Sequence, residues 1–258
     1  MRFFRREIPF AGGPALRELP RILLEPEMTK MMSSVERLRE VLDRMALAAG
    51  NAGRRPEDVR LVAVSKLHGP EAVEALFQAG HRAFGENYIQ EALTKMDALP
   101  GEIEWHFIGH LQTNKARMAA GRFALIHSLD SIKLARSLQK KAAELGLTQD
   151  VLVQVNLAGE VQKGGISEAE LPELAEFLAG APGLRWRGLM LMPPFFDDPE
   201  RVRPYFSRLR ELAARLSKDF GLPLPELSMG MTGDFEAAVA EGATLIRVGT
   251  RIFGERKQ

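Results

Sequence analysis

Hydrophobic positions recur along this chain with two different periods. Between Ser33 and Gly50, Val35, Leu38, Val41, Leu42 and Met45 return at helical spacing, and Ser33 with Glu36 matches the capping box that starts a helix. This segment predicts an amphipathic N-terminal helix ahead of the first strand. Eight short runs of β type follow, at 59–66, 83–87, 104–109, 125–129, 151–157, 186–192, 226–229 and 245–249. Helical stretches such as 70–79, 131–145, 168–179, 201–220 and 234–241 separate them, each long enough to cross over to a parallel neighbour. Hairpin signals are absent. Strand then helix, eight times, predicts an α/β fold in which one (β/α)₈ TIM barrel closes in sequence order. An open doubly wound sheet shares the pattern and stays as the alternative.

The first residues break the rhythm. Pro9, Gly12, Gly13, Pro14, Pro20 and Pro26 interrupt every periodic stretch, so residues 1–27 are expected to form a loosely structured arm and 28–258 the barrel. Arg2, Arg5 and Arg6 resemble the start of an export signal, but the continuous apolar stretch that should follow is missing. Met28, Met31 and Met32 directly precede the first helix and offer an alternative start of translation, which N-terminal sequencing of protein made from the native gene decides.

Composition narrows the ligand. A chain of 258 residues has the length of one such barrel, and 45% hydrophobic with 27% charged residues is the make-up of a globular protein with a sizeable core. Basic and acidic residues number 35 and 34, a net charge of +1, which provides no field to attract nucleic acid or an anionic membrane. A small molecule is the expected ligand. The absence of cysteine excludes disulfides, thiolate metal sites and a cysteine nucleophile, and it fits a reducing compartment, so a cytoplasmic location is expected. No window approaches the roughly 18 consecutive apolar residues that suggest a membrane span.

In a barrel the reacting groups lie at the carboxyl ends of the strands. The first run ends Leu61-Val62-Ala63-Val64-Ser65-Lys66, and period-two alternation puts Lys66 on the face of Val62 and Val64. An amine is thereby aimed into an apolar mouth, where burial favours the neutral form that attacks an aldehyde. The seventh run passes through Ser228, Met229, Gly230, Met231, Thr232 and Gly233 into a helix, and the eighth ends Arg247-Val248-Gly249-Thr250. Glycines and hydroxyls around helix N-termini suit a phosphate, and the loops after strands 7 and 8 are its recurrent place in barrels. Two tight turns needing glycine for backbone reasons are the plain alternative. Arg247 alternates with Leu245 and Gly249, so it points inward and needs a ligand or a carboxylate partner.

Taken together these residues resemble the pyridoxal phosphate homeostasis proteins, whose single barrel is similar to the cofactor domain of bacterial alanine racemases. The likeness runs from about Val59 to Gly254. It is carried by Ala63-Val64-Ser65-Lys66, by Phe84-Gly85-Glu86-Asn87-Tyr88 with Gln90-Glu91, and by Trp105-His106-Phe107-Ile108-Gly109 with Leu111-Gln112 and Asn114-Lys115. Ser228-Met229-Gly230-Met231 and Ile246-Arg247-Val248-Gly249-Thr250 with Ile252-Phe253-Gly254 complete it. The resemblance implies the fold-type III arrangement for pyridoxal 5′-phosphate, with Lys66 carrying the cofactor as an imine. It further implies that Ser228, Gly230, Gly249 and Thr250, with Met229 in the same segment, cradle the phosphate, that Arg247 faces the pyridine nitrogen, and that Asn87 and Tyr88 line the pocket. Thr232 stands where a serine is common and keeps the hydroxyl. The arm at 1–27 has no counterpart in the resemblance.

Arginine only donates hydrogen bonds, so Arg247 leaves the pyridine nitrogen unprotonated and the ring a weaker electron sink. A two-base racemase also needs an acid/base residue opposite the lysine, which alanine racemase takes from an additional β domain. Here the chain ends nine residues after Gly249, and Tyr88 and Tyr205 are its only tyrosines. The expectation is a monomeric carrier of the cofactor in vitamin B6 homeostasis that makes transient contact with pyridoxal-phosphate enzymes and has no robust catalytic activity. A pyridoxal-phosphate amino-acid racemase or transaminase, and a cofactor-free aldolase-like barrel using the Lys66 amine, are the alternatives. His106 and His110 are read as packing and loop residues rather than zinc ligands. Lys133, Arg136, Lys140 and Lys141 form a solvated face. Met190, Met192, Pro193 and Pro194 stand near the mouth after strand 6, and Lys163 in the loop after strand 5 offers a second phosphate contact.

Overall fold

The computed structural model describes residues 32–160 and 163–255, and the expected arm at 1–27 lies outside them. The Glu36 N–H donates to Ser33 Oγ at 3.2 Å, and the Ser33 N–H to Glu36 Oε2 at 2.7 Å. The reciprocal cap starts α1 (Ser34–Asn51) where the sequence sets it. Then follow β1 (Arg60–Val64), α2 (Pro70–Gln78), β2 (Ala83–Glu86), α3 (Ile89–Ala98), β3 (Glu104–Phe107), α4 (Ala116–Ala119), β4 (Leu125–Leu129) and α5 (Ile132–Glu144). The second half is β5 (Gln149–Val155), α6 (Leu171–Ala179), β6 (Leu184–Leu191), α7 (Arg203–Phe220), β7 (Glu226–Ser228), α8 (Phe235–Ala240), β8 (Leu245–Val248) and α9 (Thr250–Phe253).

The strands form a closed barrel in sequence order. Closure rests on the parallel pairing of β1 with β8, from Arg60 opposite Leu245 to Ala63 opposite Val248, and this pairing rules out the open sheet. Period-two alternation sorts the side chains into two cores. Val62, Leu125, Leu152, Met190 and Leu245 fill the barrel interior. Leu61 and Ala63, one residue either side of Val62, face outward into the larger core between strands and helices, with Phe84, Phe107, Ile126, Phe206 and Phe235. Strands buried on both faces read as nearly unbroken apolar runs, which is how they appear in the sequence. Through Leu38, Val41, Met45 and Ala49, α1 buries a stripe against the barrel, and it packs on α8 and α9.

Several strands end earlier than the apolar runs do. Residues 65–66, 87 and 249 fall in the turns beyond β1, β2 and β8, so the polar residues at the run ends belong to the mouth rather than to the ladder. Among the described residues no helix is long and apolar enough to cross a membrane.

Candidate functional site

A cavity of about 160 Å³ opens at the carboxyl ends of the strands. Lys66, Asn87, Arg247, Gly249 and Thr250 line it, together with Val64, His68, Ile108, Met192, Met231, Thr232 and Gly254. Five of the residues expected from the sequence thus meet in one place although they come from β8 itself and from the turns after β1, β2 and β8, far apart in the chain. Lys66 is partly buried rather than enclosed.

Lys66 sits in a four-residue turn. The His68 N–H donates to Ser65 O at 3.1 Å, and Leu67 takes φ +63°, a left-handed conformation held by no other non-glycine residue among those described. A β-turn prefers glycine or asparagine there. His68 stacks on Phe253 with ring centroids 4.9 Å apart, which joins the Lys66 turn to α9 at the ends of the paired strands β1 and β8.

Arg247 enters the barrel from β8, 4% exposed, as alternation with Leu245 requires. Where a ligand or a carboxylate was expected, its protein hydrogen bonds go to a hydroxyl and a carbonyl: Nη1 donates to Ser228 Oγ at 2.6 Å and Nη2 to Leu191 O at 2.9 Å. Burial lowers its pKa to about 10, with the charge of Asp234 opposing, so the guanidinium is still a cation at neutral pH. Ser228 Oγ also lies 2.8 Å from His127 Nδ1, and His127 Nε2 lies 2.8 Å from His106 Nδ1. Burial pushes His106 down to about 3 and His127 well below the usual histidine range, so both rings are neutral. Arg247 must donate to Ser228. A run in which Ser228 then donates to His127 and His127 to His106 uses the serine's proton. This buried file fixes the arginine from below and leaves the rest of its fork at the cavity wall.

The remaining expected residues lie elsewhere. Ser228 is fully buried and its hydroxyl is committed to Arg247 and His127, not turned into the cavity. Met229 belongs to the outer core. Gly230 has φ +89°, and a Cβ there would lie 2.5 Å from the Ala238 Cβ, so this glycine serves close packing of the β7 loop on α8. From this segment Met231 and Thr232 reach the cavity instead. Tyr88 is 52% exposed and lines a neighbouring groove with His110 and Lys115, and Tyr205 packs beside Phe196. Lys163 donates to Pro193 O at 2.7 Å and pairs with Glu160 at 3.0 Å. His68, His127 and the Glu86–Lys95 pair behind the mouth were not singled out from the sequence. For the last two, a polar residue amid an apolar strand and a lysine on the buried face of a helix were the available signals.

The donor set fits a phosphorylated, aldehyde-bearing aromatic ring. The cavity wall carries an amine, a cationic fork and the threonine hydroxyls of two separate turns, Thr232 after β7 and Thr250 beside Gly249 after β8. Asn87 Oδ1 is buried without a hydrogen-bond partner among the described residues, so the wall retains hydrogen-bonding capacity that the protein itself does not use.

The closed barrel with a lysine after its first strand and an arginine on its last defines the class of the alanine racemase cofactor barrel. The family described as "Alanine racemase, N-terminal domain" matches residues 35–257, and the chain belongs to it. Within that class it is a member of the pyridoxal phosphate homeostasis proteins: it is 46% identical to the protein of that name from Aquifex aeolicus over 227 residues, 88% of this chain and 100% of the relative. It is also similar to PipY of Synechococcus elongatus PCC7942, a structure with pyridoxal phosphate bound, at 40% identity and a TM-score of 0.72, covering 86% of this chain and all of that one. Alanine racemase from Corynebacterium glutamicum shares the fold at 20% identity and a TM-score of 0.66, over 86% of this chain and 62% of the racemase.

Proposed function

We propose that this protein is a cytoplasmic, monomeric carrier that holds pyridoxal 5′-phosphate covalently on Lys66 for intracellular vitamin B6 homeostasis, and that residues 28–258 suffice for it. The observation that carries the reading is the meeting of Lys66, Arg247, Gly249 and Thr250 on one cavity wall. The cofactor, when bound, supplies an electrophilic aldehyde carbon and an aromatic electron sink. Lys66 provides the amine for that carbon. Arg247, fixed by its hydrogen bonds to Ser228 and Leu191 O, would face the pyridine nitrogen as a donor and could not take its proton. The turn of Gly249 and Thr250, with Thr232 from the segment after β7, would hold the phosphate among backbone N–H groups and hydroxyls. Besides Lys66, the side chain on the cavity wall best suited to exchange a proton is His68, so a racemase reading depends on that one residue, while storage and hand-over need none.

The test is the absorption spectrum of protein mixed with pyridoxal phosphate, before and after borohydride, for wild type and Lys66→Ala. A yellow band that bleaches on reduction and is missing from the variant supports the carrier. A colourless wild type ends the reading and moves the aldolase-like barrel ahead. Incorporation of solvent deuterium at the α position of amino acids, lost in His68→Asn, would identify an enzyme instead.

A further inference from the structure

Behind the mouth lies a buried charge cluster that the cofactor reading does not use. Lys95, 3% exposed on α3, spends all three ammonium donors on fixed acceptors: Glu86 Oε1 at 2.6 Å, Glu91 Oε1 at 2.7 Å and the backbone oxygen of Ser65 at 2.7 Å. Glu86 Oε1 also accepts the Ser65 hydroxyl at 2.6 Å, and Glu91 Oε1 accepts the Leu67 N–H at 2.6 Å. The cluster therefore grips the peptide on both sides of Lys66.

The grip bears on a strained position. Leu67 holds φ +63° while it is 56% exposed, so packing of its side chain offers little to compensate the conformation. A left-handed non-glycine residue persists only where its surroundings over-determine it, and such sites gather where a reactive group must be aimed. The surroundings here include two hydrogen bonds on the turn itself, the Leu67 N–H to Glu91 and the Lys95 ammonium to the Ser65 oxygen, beside the stack of His68 on Phe253.

Resting on the carrier reading, we infer that Glu91 and Lys95 are positioning residues that hold the Ser65–His68 turn in its left-handed form and thereby keep the Lys66 amine aimed into the cavity. Neither lines the cavity, so they act through the backbone. In the step they assist, the Lys66 nitrogen bonds to the aldehyde carbon and the aldehyde oxygen leaves as water.

The test compares rates of adduct formation with pyridoxal phosphate, followed by the visible band, in the full chain and in Glu91→Ala, Leu67→Gly and the double variant. Glu91→Ala is expected to slow the reaction about ten-fold, and Leu67→Gly to restore most of that loss in the double variant, because glycine takes the turn without help. A Glu91→Ala rate within about two-fold of wild type, or a loss that Leu67→Gly leaves untouched, overturns the inference. Should Glu91→Ala not fold, the double variant and Glu91→Gln, which keeps an oxygen for the Leu67 N–H, decide it: near-wild rates support the inference and ten-fold losses in both overturn it. Acylation of Lys66 by an N-hydroxysuccinimide ester, measured against Lys133 by mass spectrometry, repeats the comparison without the cofactor. A wild type that forms no adduct therefore defeats the carrier reading while this inference is still judged.

Discussion

His106 and His127 carry the clearest consequence of burying polar groups inside the barrel. Both are neutral in the folded state, His106 down to about 3, because burial disfavours the imidazolium and the neighbouring cations add to it. In the unfolded chain each takes a proton below about 6.5. Between those values the unfolded state binds more protons, so stability falls as pH drops below about 6.5, by about 1.4 kcal/mol per unit for each ring, and their effect is flat above it. Glu86 acts in the opposite sense: burial raises its pKa against the pull of Lys95 and Ser65, so its share of stability declines as pH rises from its unfolded to its folded value. His106→Gln keeps a hydrogen-bonding side chain and removes one titrating ring. Urea titrations at pH 7 and pH 5 are expected to show a stability difference smaller by roughly 2 kcal/mol in the variant. An unchanged difference would mean that His106 is not held neutral. Alternation made Lys66 and Arg247 legible as inward residues, and it also places His127 on the face of Leu125, within the interior core. What it does not give is the partner of an inward polar residue. Ser228 reads as a phosphate ligand from its glycine-rich company, yet inside the barrel its hydroxyl is taken up by the buried Arg247 and His127.

At the scale of elements, strand and helix order followed from periodicity because each run had a single buried assignment, and the α1 start followed from its cap. The short α4 carried no periodic signal, and the cluster on α3 depends on a contact with the β1 turn that no local pattern encodes. Gly188 shows the same limit. Within β6 it has φ +152° at a register shift against β5, between Val151 and Leu152, and a Cβ there would lie 1.9 Å from Glu226 O on β7. Backbone cannot yield as a flexible side chain does, so Gly188→Ala should force two strands apart, costing at least about 3 kcal/mol or preventing folding. Gly53→Ala is the control. Its φ of +68° is also left-handed, but nothing lies within 4 Å of the added Cβ, so only the conformational cost of about 1 kcal/mol is expected. Equal denaturation midpoints for the two variants would show that the close approach of β6 and β7 is dispensable.

For the whole molecule the question is what the barrel needs from the rest of the chain. The strands close on themselves, so no edge is left for another segment to cover. The helices on either side of β8, α8 and α9, are covered by α1, whose buried stripe begins at Leu38. The family match likewise starts at residue 35, and the Aquifex relative is matched along its entire length. A chain beginning at Met28 keeps the Ser33 cap and every described element. It is expected to unfold in one cooperative transition, with a midpoint within a few degrees of the full chain, and to form the same yellow adduct. Bound cofactor should then raise both midpoints alike, since a ligand at 100 times its Kd stabilises the state it binds by about 2.7 kcal/mol. Thermal scans of the two chains with and without pyridoxal phosphate check this. If the shorter chain unfolds broadly, or takes up the cofactor without the matching shift, residues 1–27 are part of the working protein and the unit is larger than the barrel.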